Sequence, residues 1–78
     1  MATTELTPQQ RQVIRRARER AGLTQTQLAE RIGIVSQYVN MIESGKKAAS
    51  LDVLTRLGNE LGLEITVKTI VSIKRTRR

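Results

Sequence analysis

Residues 24–45 read T-Q-T-Q-L-A-E-R-I-G-I-V-S-Q-Y-V-N-M-I-E-S-G, and this stretch decides how the chain folds. Apolar residues recur at helical spacing on both sides of Gly33, which predicts two short amphipathic helices joined by a tight turn. The second of these helices, predicted over 36–44, turns Val39 and Ile42 inward and carries small polar side chains on its outer face. Such a pair packs its apolar faces together and leaves that polar face available to a partner.

Two further helices are predicted around this stretch by start and stop signals of the same kind. The first runs from Pro8 to a stop at Gly22, and the fourth follows Ser50 and stops at Gly62. A hydroxyl residue that can cap the backbone precedes three of the four predicted helices, at Thr7, Thr24 and Ser50. The expected core positions are Val13, Ile14, Ala17, Ala21, Leu28, Ala29, Ile32, Val53, Leu54, Leu57 and Leu61.

The pattern changes its period after the fourth helix. Residues 63–73 alternate with a period of two and are rich in β-branched side chains, which predicts one long strand. No second strand is predicted elsewhere, and a lone strand leaves its backbone groups unpaired. We therefore expect the strand to pair with its copy across a homodimer, through Ile65, Val67, Val71 and Ile73. A frayed end, or a strand that pairs only with another protein, is the alternative.

These patterns divide the chain into four parts. Residues 1–7 are an N-terminal arm, 8–63 the helical domain, 64–73 the dimerisation strand and 74–78 a basic tail, expected to be disordered. The chain has 78 residues, enough for one small domain. Because it has no Cys to form a disulfide, oligomerisation is the remaining way to bury more surface.

The charge balance indicates a polyanionic partner. Lys and Arg number 14 against 7 Asp and Glu, which gives a formal net charge of +7 and a pI of about 11.2. An excess of this size on a small domain favours nucleic acid over a merely solvated surface. The chain has no His and no Cys, so we expect no enzymatic activity, no metal site and no cofactor. No apolar run fits a membrane span or a signal peptide, so a cytoplasmic, nucleoid-associated location without membrane binding is expected.

The central stretch resembles the Cro/repressor-type (XRE) helix-turn-helix family. The resemblance covers residues 9–63, with each predicted helix at the family's spacing. Its markers, which are specific in combination, are Gln25, Leu28, Ala29, Gly33, Ile34, Val39, Ile42, Glu43 and Gly45. The resemblance implies a mainly α fold, a four-helix Cro/repressor-like domain followed here by one C-terminal strand. It also implies that the motif's second helix lies in the major groove of double-stranded DNA, with its N-terminal half at the bases.

The resemblance also implies roles for individual residues. The base-reading positions are Ser36, Gln37, Asn40 and Met41. The positions that contact the DNA backbone or brace the motif are Gln25, Tyr38, Ser44, Lys46 and Lys47. Amide side chains can bond adenine through two hydrogen bonds, and a Met side chain can contact a thymine methyl group. In the family an arginine of the first helix pairs with the glutamate that ends the third, which implies a structural ion pair between Arg18 and Glu43.

Two residues depart from the family pattern. Val35 stands where the family usually has a Ser or Thr cap, so Ser36 is an alternative cap, which would conflict with base reading by Ser36. Gly58 stands within the fourth helix where Ala is usual, at a cost of roughly 1 kcal/mol in helix propensity. It therefore indicates a close contact, expected at the dimer interface. The remaining arginines of the first helix, interpreted mainly as solvated charges, are Arg11, Arg15, Arg16 and Arg20.

The segment L-E-I-T-V at 63–67 resembles the strand of HipB-type antitoxins, in which strands pair across a dimer that represses its own operon and binds a toxin. We therefore expect a dimeric, sequence-specific transcriptional repressor that acts on an inverted-repeat operator and serves as an autoregulating antitoxin of a toxin–antitoxin pair. Three alternatives stay open. They are a phage or restriction-control regulator without a toxin, an antitoxin acting mainly by protein–protein binding, and association of the basic first helix with a membrane surface.

Overall fold

The computed structural model describes residues 3–67 and 71–75 and, within them, four helices. They are α1 (Pro8–Arg20), α2 (Gln25–Ile32), α3 (Ser36–Ser44) and α4 (Leu51–Leu61). Two antiparallel strand pairs accompany them, β1 (Thr3–Thr4) with β2 (Ala49–Ser50) and β3 (Leu63–Val67) with β4 (Val71–Arg75). The predicted mainly α fold, a four-helix helix-turn-helix domain, is confirmed.

Side-chain caps fix the start of three helices, as the sequence predicted. Thr7 and Thr24 each accept a hydrogen bond from the backbone N–H three residues on. The side chains of Gln10 and Gln27 in turn accept hydrogen bonds from the backbone N–H groups of those two threonines. Ser50 caps α4 through its hydroxyl oxygen. These bonds satisfy amide groups that would otherwise lack a partner at the first turn of a helix.

The start of α3 is different because its N-cap is Val35, which offers no side-chain hydrogen bond. The N–H of Tyr38 bonds instead to the backbone carbonyl of Val35 at 3.0 Å. The assignment of Ser36 as an alternative cap is wrong, since Ser36 is the first residue of the helix itself. Val35 has the extended backbone of an N-cap (φ −81°, ψ 147°), and this leaves Ser36 inside the first turn.

Among the described residues, one apolar cluster lies between the four helices. It is aliphatic because the chain has no Phe and no Trp, and its largest fully buried side chains are Ile14, Leu28, Val39, Ile42, Leu54 and Leu57. Ala29 of α2 is small and buried in this cluster. Val13 and Leu61, predicted to face the core, are only partly buried at its edge. The prediction for Ala21 is wrong: this residue is exposed, because it is the C-cap that follows the last turn of α1.

The prediction of a single long strand over 63–73 is wrong, because two shorter strands in this region pair antiparallel with each other. β3 and β4 form an antiparallel hairpin with Ile65 opposite Ile73 and Val67 opposite Val71. The four residues expected to pair across a homodimer therefore pair within one chain. Ile65 and Ile73 are partly buried against the helical core, so the hairpin belongs to the same packed unit as the helices.

The hairpin also changes the assignment of the C-terminus. Lys74 and Arg75, predicted as the beginning of a disordered tail, are exposed residues of β4. The rest of that predicted tail, 76–78, lies outside the described residues, as does the connection 68–70. The predicted division between a strand and a tail at residue 74 therefore falls inside a strand.

Part of the predicted N-terminal arm is a strand that the sequence did not reveal. Thr3 lies opposite Ser50 and Thr4 lies opposite Ala49 in the β1–β2 pair. Because Ser50 also caps α4, this short pair connects the arm to the start of the fourth helix. Residues 1–2 lie outside the described residues.

The close contact expected at Gly58 is made within the chain, between α4 and β3. A Cβ atom at this position would lie 2.9 Å from the carbonyl oxygen of Leu63 and 3.1 Å from Cδ1 of Ile65. The backbone carbonyl cannot move aside unless the hairpin shifts. The hairpin therefore packs onto α4 only because residue 58 has no side chain.

We predict that Gly58→Ala lowers the free energy of unfolding by about 1 kcal/mol, because overpacking outweighs a gain of roughly 1 kcal/mol in helix propensity. Chemical denaturation followed by circular dichroism measures this difference. Asn59→Ala, at an exposed position of the same helix, is the control and should be neutral or slightly stabilising. Stabilisation by both substitutions would contradict the packing of β3 on α4.

Candidate nucleic-acid interface

Helices α2 and α3 form a compact unit around the turn at Gly33. Gly33 has a left-handed φ of 76°, and the N–H of Ile34 bonds to the carbonyl of Ala29 at 3.0 Å, which closes the end of α2. Val39 and Ile42 on α3 are buried in the core. The opposite face of α3 is therefore turned towards solvent.

An exposed polar stripe runs along that outer face of α3. Gln37, Asn40 and Ser44 are exposed, and their spacing of three and four residues aligns them on one side of the helix. Ser36 and Met41, the other two predicted base readers, are half-buried. Amide side chains in such a row can donate and accept the hydrogen bonds that base edges require.

A series of hydrogen bonds connects this polar stripe to the protein interior. Arg18 on α1 donates from Nε to Oε2 of Glu43 at 2.8 Å and from Nη2 to Oε1 at 3.1 Å. Gln25 on α2 donates from Nε2 to the same Oε1 at 3.1 Å, and Asn40 donates from Nδ2 to Oε1 of Gln25 at 3.2 Å. These bonds orient the Asn40 amide and, within the part of the chain that the structure describes, leave its Oδ1 for a partner.

The ion pair at the centre of this network is nearly buried. The side chains of Arg18 and Glu43 are 11% and 5% exposed, and Nη1 of Arg18 also donates to the carbonyl of Leu23 at 2.9 Å. Hydrogen bonding to Glu43 raises the pKa of the Arg18 guanidinium above its usual value, against the opposing effect of burial. The guanidinium of Arg18 thus stays charged, and its two parallel bonds to Glu43 fix α1 against the end of α3.

Tyr38 braces α3 against the loop that follows it. Its hydroxyl accepts a hydrogen bond from the backbone N–H of Ser50 at 3.2 Å. The Nζ atom of Lys47 lies 5.4 Å from the centre of the tyrosine ring, within the range of a cation–π contact. The side chain therefore connects the helix to the loop and helps to position the Lys47 cation.

The loop after α3 holds two cations at the C-terminal end of the polar stripe. Gly45 adopts a left-handed φ of 80°, and the backbone N–H groups of Lys46 and Lys47 bond to the carbonyl of Met41 at 2.9 and 3.3 Å. The hydroxyl of Ser44 donates to the same carbonyl at 3.3 Å. The backbone of the turn is thereby fixed while both lysine side chains are exposed, an arrangement that suits phosphate contacts.

Two arginines of α1, interpreted from the sequence as solvated charges, border this surface. Arg11 is half-buried: Nη1 donates to the carbonyl of Leu6 at 2.9 Å, and the guanidinium packs on Gly45. It borders an open cavity of about 180 Å³, and Arg15 borders a smaller one of about 150 Å³. The first is also lined by Lys46 and Lys47, and the second by Gln25, Asn40 and Ser44. The four-residue spacing of the two arginines was the available sequence signal, since it aligns them on one helix face.

Two other kinds of feature are absent from the described residues. They include no group of three or more His, Cys, Asp or Glu residues that could hold a metal ion. No described helix is long and apolar enough to cross a membrane. The chemistry available on the α3 surface is hydrogen bonding by amides and hydroxyls, and charge pairing by Lys and Arg.

We predict that Glu43→Gln lowers the free energy of unfolding by about 3 kcal/mol, because it leaves the nearly buried guanidinium of Arg18 without its counter-charge. Urea denaturation at neutral pH measures the loss. Glu60→Gln is the matched control, since Glu60 pairs with Arg31 at 3.0 Å in a more exposed setting, where a pair contributes less than about 1 kcal/mol. Equal losses of unfolding free energy in the two variants would contradict a central structural role of the Arg18–Glu43 pair.

Known proteins resemble this chain over most of its length. A helix-turn-helix family model matches residues 14–68. The chain is 41% identical over 54 residues to an uncharacterized HTH-type transcriptional regulator of Methanothermobacter thermautotrophicus, covering 69% of this chain and 78% of that protein. It is 34% identical over 62 residues to a propionyl-CoA carboxylase regulator of Cereibacter sphaeroides, covering 80% of this chain but 13% of that protein. The chain therefore belongs to the Cro/repressor-type (XRE) helix-turn-helix family of DNA-binding transcriptional regulators.

Proposed function

We propose that this protein is a sequence-specific transcriptional repressor that binds double-stranded DNA as a dimer and represses by covering promoter DNA. The observation that carries the proposal is the exposed stripe of Gln37, Asn40 and Ser44, supported from behind by the Arg18–Glu43 pair. In helix-turn-helix proteins such a helix enters the major groove, where base pairs differ in their donors and acceptors. The net charge of +7 supplies an attraction that does not depend on sequence.

Two kinds of contact follow from this proposal. Contacts to phosphates fix the register of the protein on DNA, and contacts to base edges provide the sequence preference. The proposed base readers are Ser36, Gln37, Asn40 and Met41. The proposed phosphate contacts are Gln25, Ser44, Lys46 and Lys47, with Arg11 and Arg15 added because they border the same surface. Tyr38 acts through the loop that it braces.

The pairing of strands across a dimer, which was the argument for an antitoxin, is not found among the described residues. That argument rested on the resemblance of residues 63–67 to such a strand, whereas here β3 pairs with β4 of the same chain. A toxin partner, and an antitoxin acting mainly by protein–protein binding, stay predictions from the sequence. A regulator of a phage or restriction system would use the same DNA-binding surface, so the choice between these roles depends on the genes it controls.

A dimer is supported by the hairpin edges that pair with no other described strand, together with the geometry of DNA. β3 and β4 form a two-stranded sheet, so among the described residues the outer edge of each strand has no strand partner. An unpaired edge can pair with its copy across a two-fold axis. The two α3 helices would then enter successive major grooves about 34 Å apart on one face of the DNA, which requires an inverted-repeat operator.

Binding to the DNA upstream of the protein's own gene, compared with a shuffled duplex across a salt series, tests the DNA-reading role. We predict tight, sequence-selective binding by the wild type. Gln37→Ala should reduce the preference between the two duplexes by roughly 1–3 kcal/mol, because one contact to a base edge is lost.

Lys47→Ala should weaken binding to both duplexes alike. It should also reduce the slope of log affinity against log salt concentration by roughly 1, because one phosphate contact is lost.

Lys74→Ala is the matched control for Lys47→Ala, since it removes the same charge from the exposed surface of β4. We expect it to leave the salt slope unchanged. Wild-type binding that is weak, sensitive to salt and equal on both duplexes would contradict a sequence-reading role, and the basic charge would then act generically.

The dimeric mode predicts cooperative binding to an inverted repeat. Inserting about five base pairs between the half-sites should abolish the cooperativity, because half a helical turn moves the second half-site to the opposite face of the DNA. Gel-shift titrations of the intact operator, the spaced operator and a single half-site measure this effect. The same affinity for all three duplexes would mean that the protein binds DNA as a monomer.

A further inference from the structure

Val35 is the one large apolar side chain that the described part of the chain exposes, with 68% of its surface accessible to solvent. A single exposed apolar residue is ordinary by itself. Two further observations, the capping of α3 and the position of Val35 at the start of that helix, indicate a functional role for this side chain.

Val35 occupies a position where the chain's other helices have a hydroxyl cap. Thr7, Thr24 and Ser50 begin α1, α2 and α4, and each accepts a hydrogen bond from the backbone N–H three residues on. At the start of α3 the N-cap is Val35 and no side-chain bond is made. A stabilising cap is thus absent from the helix with the exposed polar stripe, and an aliphatic group stands in its place.

The position of Val35 suggests what its side chain contacts. It directly precedes Ser36 and Gln37, in the first turn of the helix whose N-terminal residues face base edges in this kind of motif. The thymine methyl is the apolar group that base edges present in the major groove. We propose that Val35 is a specificity-determining residue that contacts the 5-methyl group of one thymine in each half-site, an inference that rests on the proposed base-reading function of α3.

Two other apolar side chains near Val35 are not fully buried, Ile34 and Met41, and neither takes this role. Ile34 is partly buried and packs against the core, so its side chain is already in contact with protein. Met41 is six residues further along the chain, about 9 Å along the helix axis, and would contact a different base pair. Val35 is therefore the apolar contact available at the N-terminal end of α3.

The experiment begins by selecting the preferred duplex from a random pool of DNA with the wild-type protein. Each thymine of the selected half-site is then replaced in turn by deoxyuridine, which removes only the 5-methyl group. Wild type and Val35→Ala are titrated with every duplex. Valine and alanine are both poor N-caps, so Val35→Ala leaves the start of α3 unchanged, and thermal denaturation verifies this.

We expect one thymine in each half-site whose replacement weakens wild-type binding about fourfold, the factor that corresponds to burying one methyl-sized group. The same replacement should change binding of Val35→Ala by less than about twofold, because the contact is already absent. Replacement of other thymines should affect the two proteins alike, including any thymine contacted by Met41.

Deoxyuridine effects that are equal in the two proteins at every position would overturn the inference. A selected sequence without a methyl-sensitive thymine would overturn it as well. Failure of the wild type to select any sequence is a distinct result, because it removes the proposed base-reading function and the role of Val35 together.

Discussion

The position of α3 depends on the ion pair between Arg18 and Glu43. A single carboxylate, nearly buried, receives hydrogen bonds from Arg18 on α1 and from Gln25 on α2, while it belongs to α3 itself. Three helices therefore meet at one charged group, and removal of either charge would leave the other buried without compensation. The hydrogen bond from Asn40 to Gln25 extends this network to the exposed face of α3. Side chains held in this way lose less conformational freedom when they bind, which favours affinity and selectivity.

On the surface around α3, the residues suited to general attraction of DNA differ from those suited to sequence recognition. Lys46, Lys47 and Arg11 lie at the C-terminal end of α3, and Arg15 borders Gln25 and Asn40 beside the helix. Their charges suit sequence-independent contacts to phosphate, whereas the amides between them suit base edges. The start of α3 departs from the capping rule that the other helices follow, since Val35 replaces a hydroxyl residue. Departures of this kind from local rules are expected where a sequence serves binding as well as folding.

The four helices could be predicted because each is encoded by a few neighbouring residues, such as Thr24 with Gln27 at a start or Gly33 at an end. The hairpin could not, for two reasons. The connection K-T-I at 68–70 contains no Gly, Asn, Asp or Pro, the residues that mark turns. Ile65 pairs with Ile73 and Val67 with Val71, and three residues separate the two strands. Because three is an odd number, the period-two alternation of apolar residues continues unchanged from one strand to the next. In the sequence, the hairpin therefore has the same pattern as one long strand. The sites of Arg11 and Arg15 depend on how α1 packs beside the loop after α3, which local patterns do not encode.

The proposal that α3 binds DNA through its outer face is tested most directly by nuclear magnetic resonance titration of the isotopically labelled protein with a selected duplex. We predict that the largest changes in chemical shift occur at backbone amides 35–41 and 46–47 and at the side-chain amides of Gln37 and Asn40. Residues of β3 and β4 should change little, apart from effects of subunit contact that are independent of DNA sequence. Changes centred on the hairpin, with the amides of α3 unaffected, would contradict the proposal and assign the interface to another face of the domain.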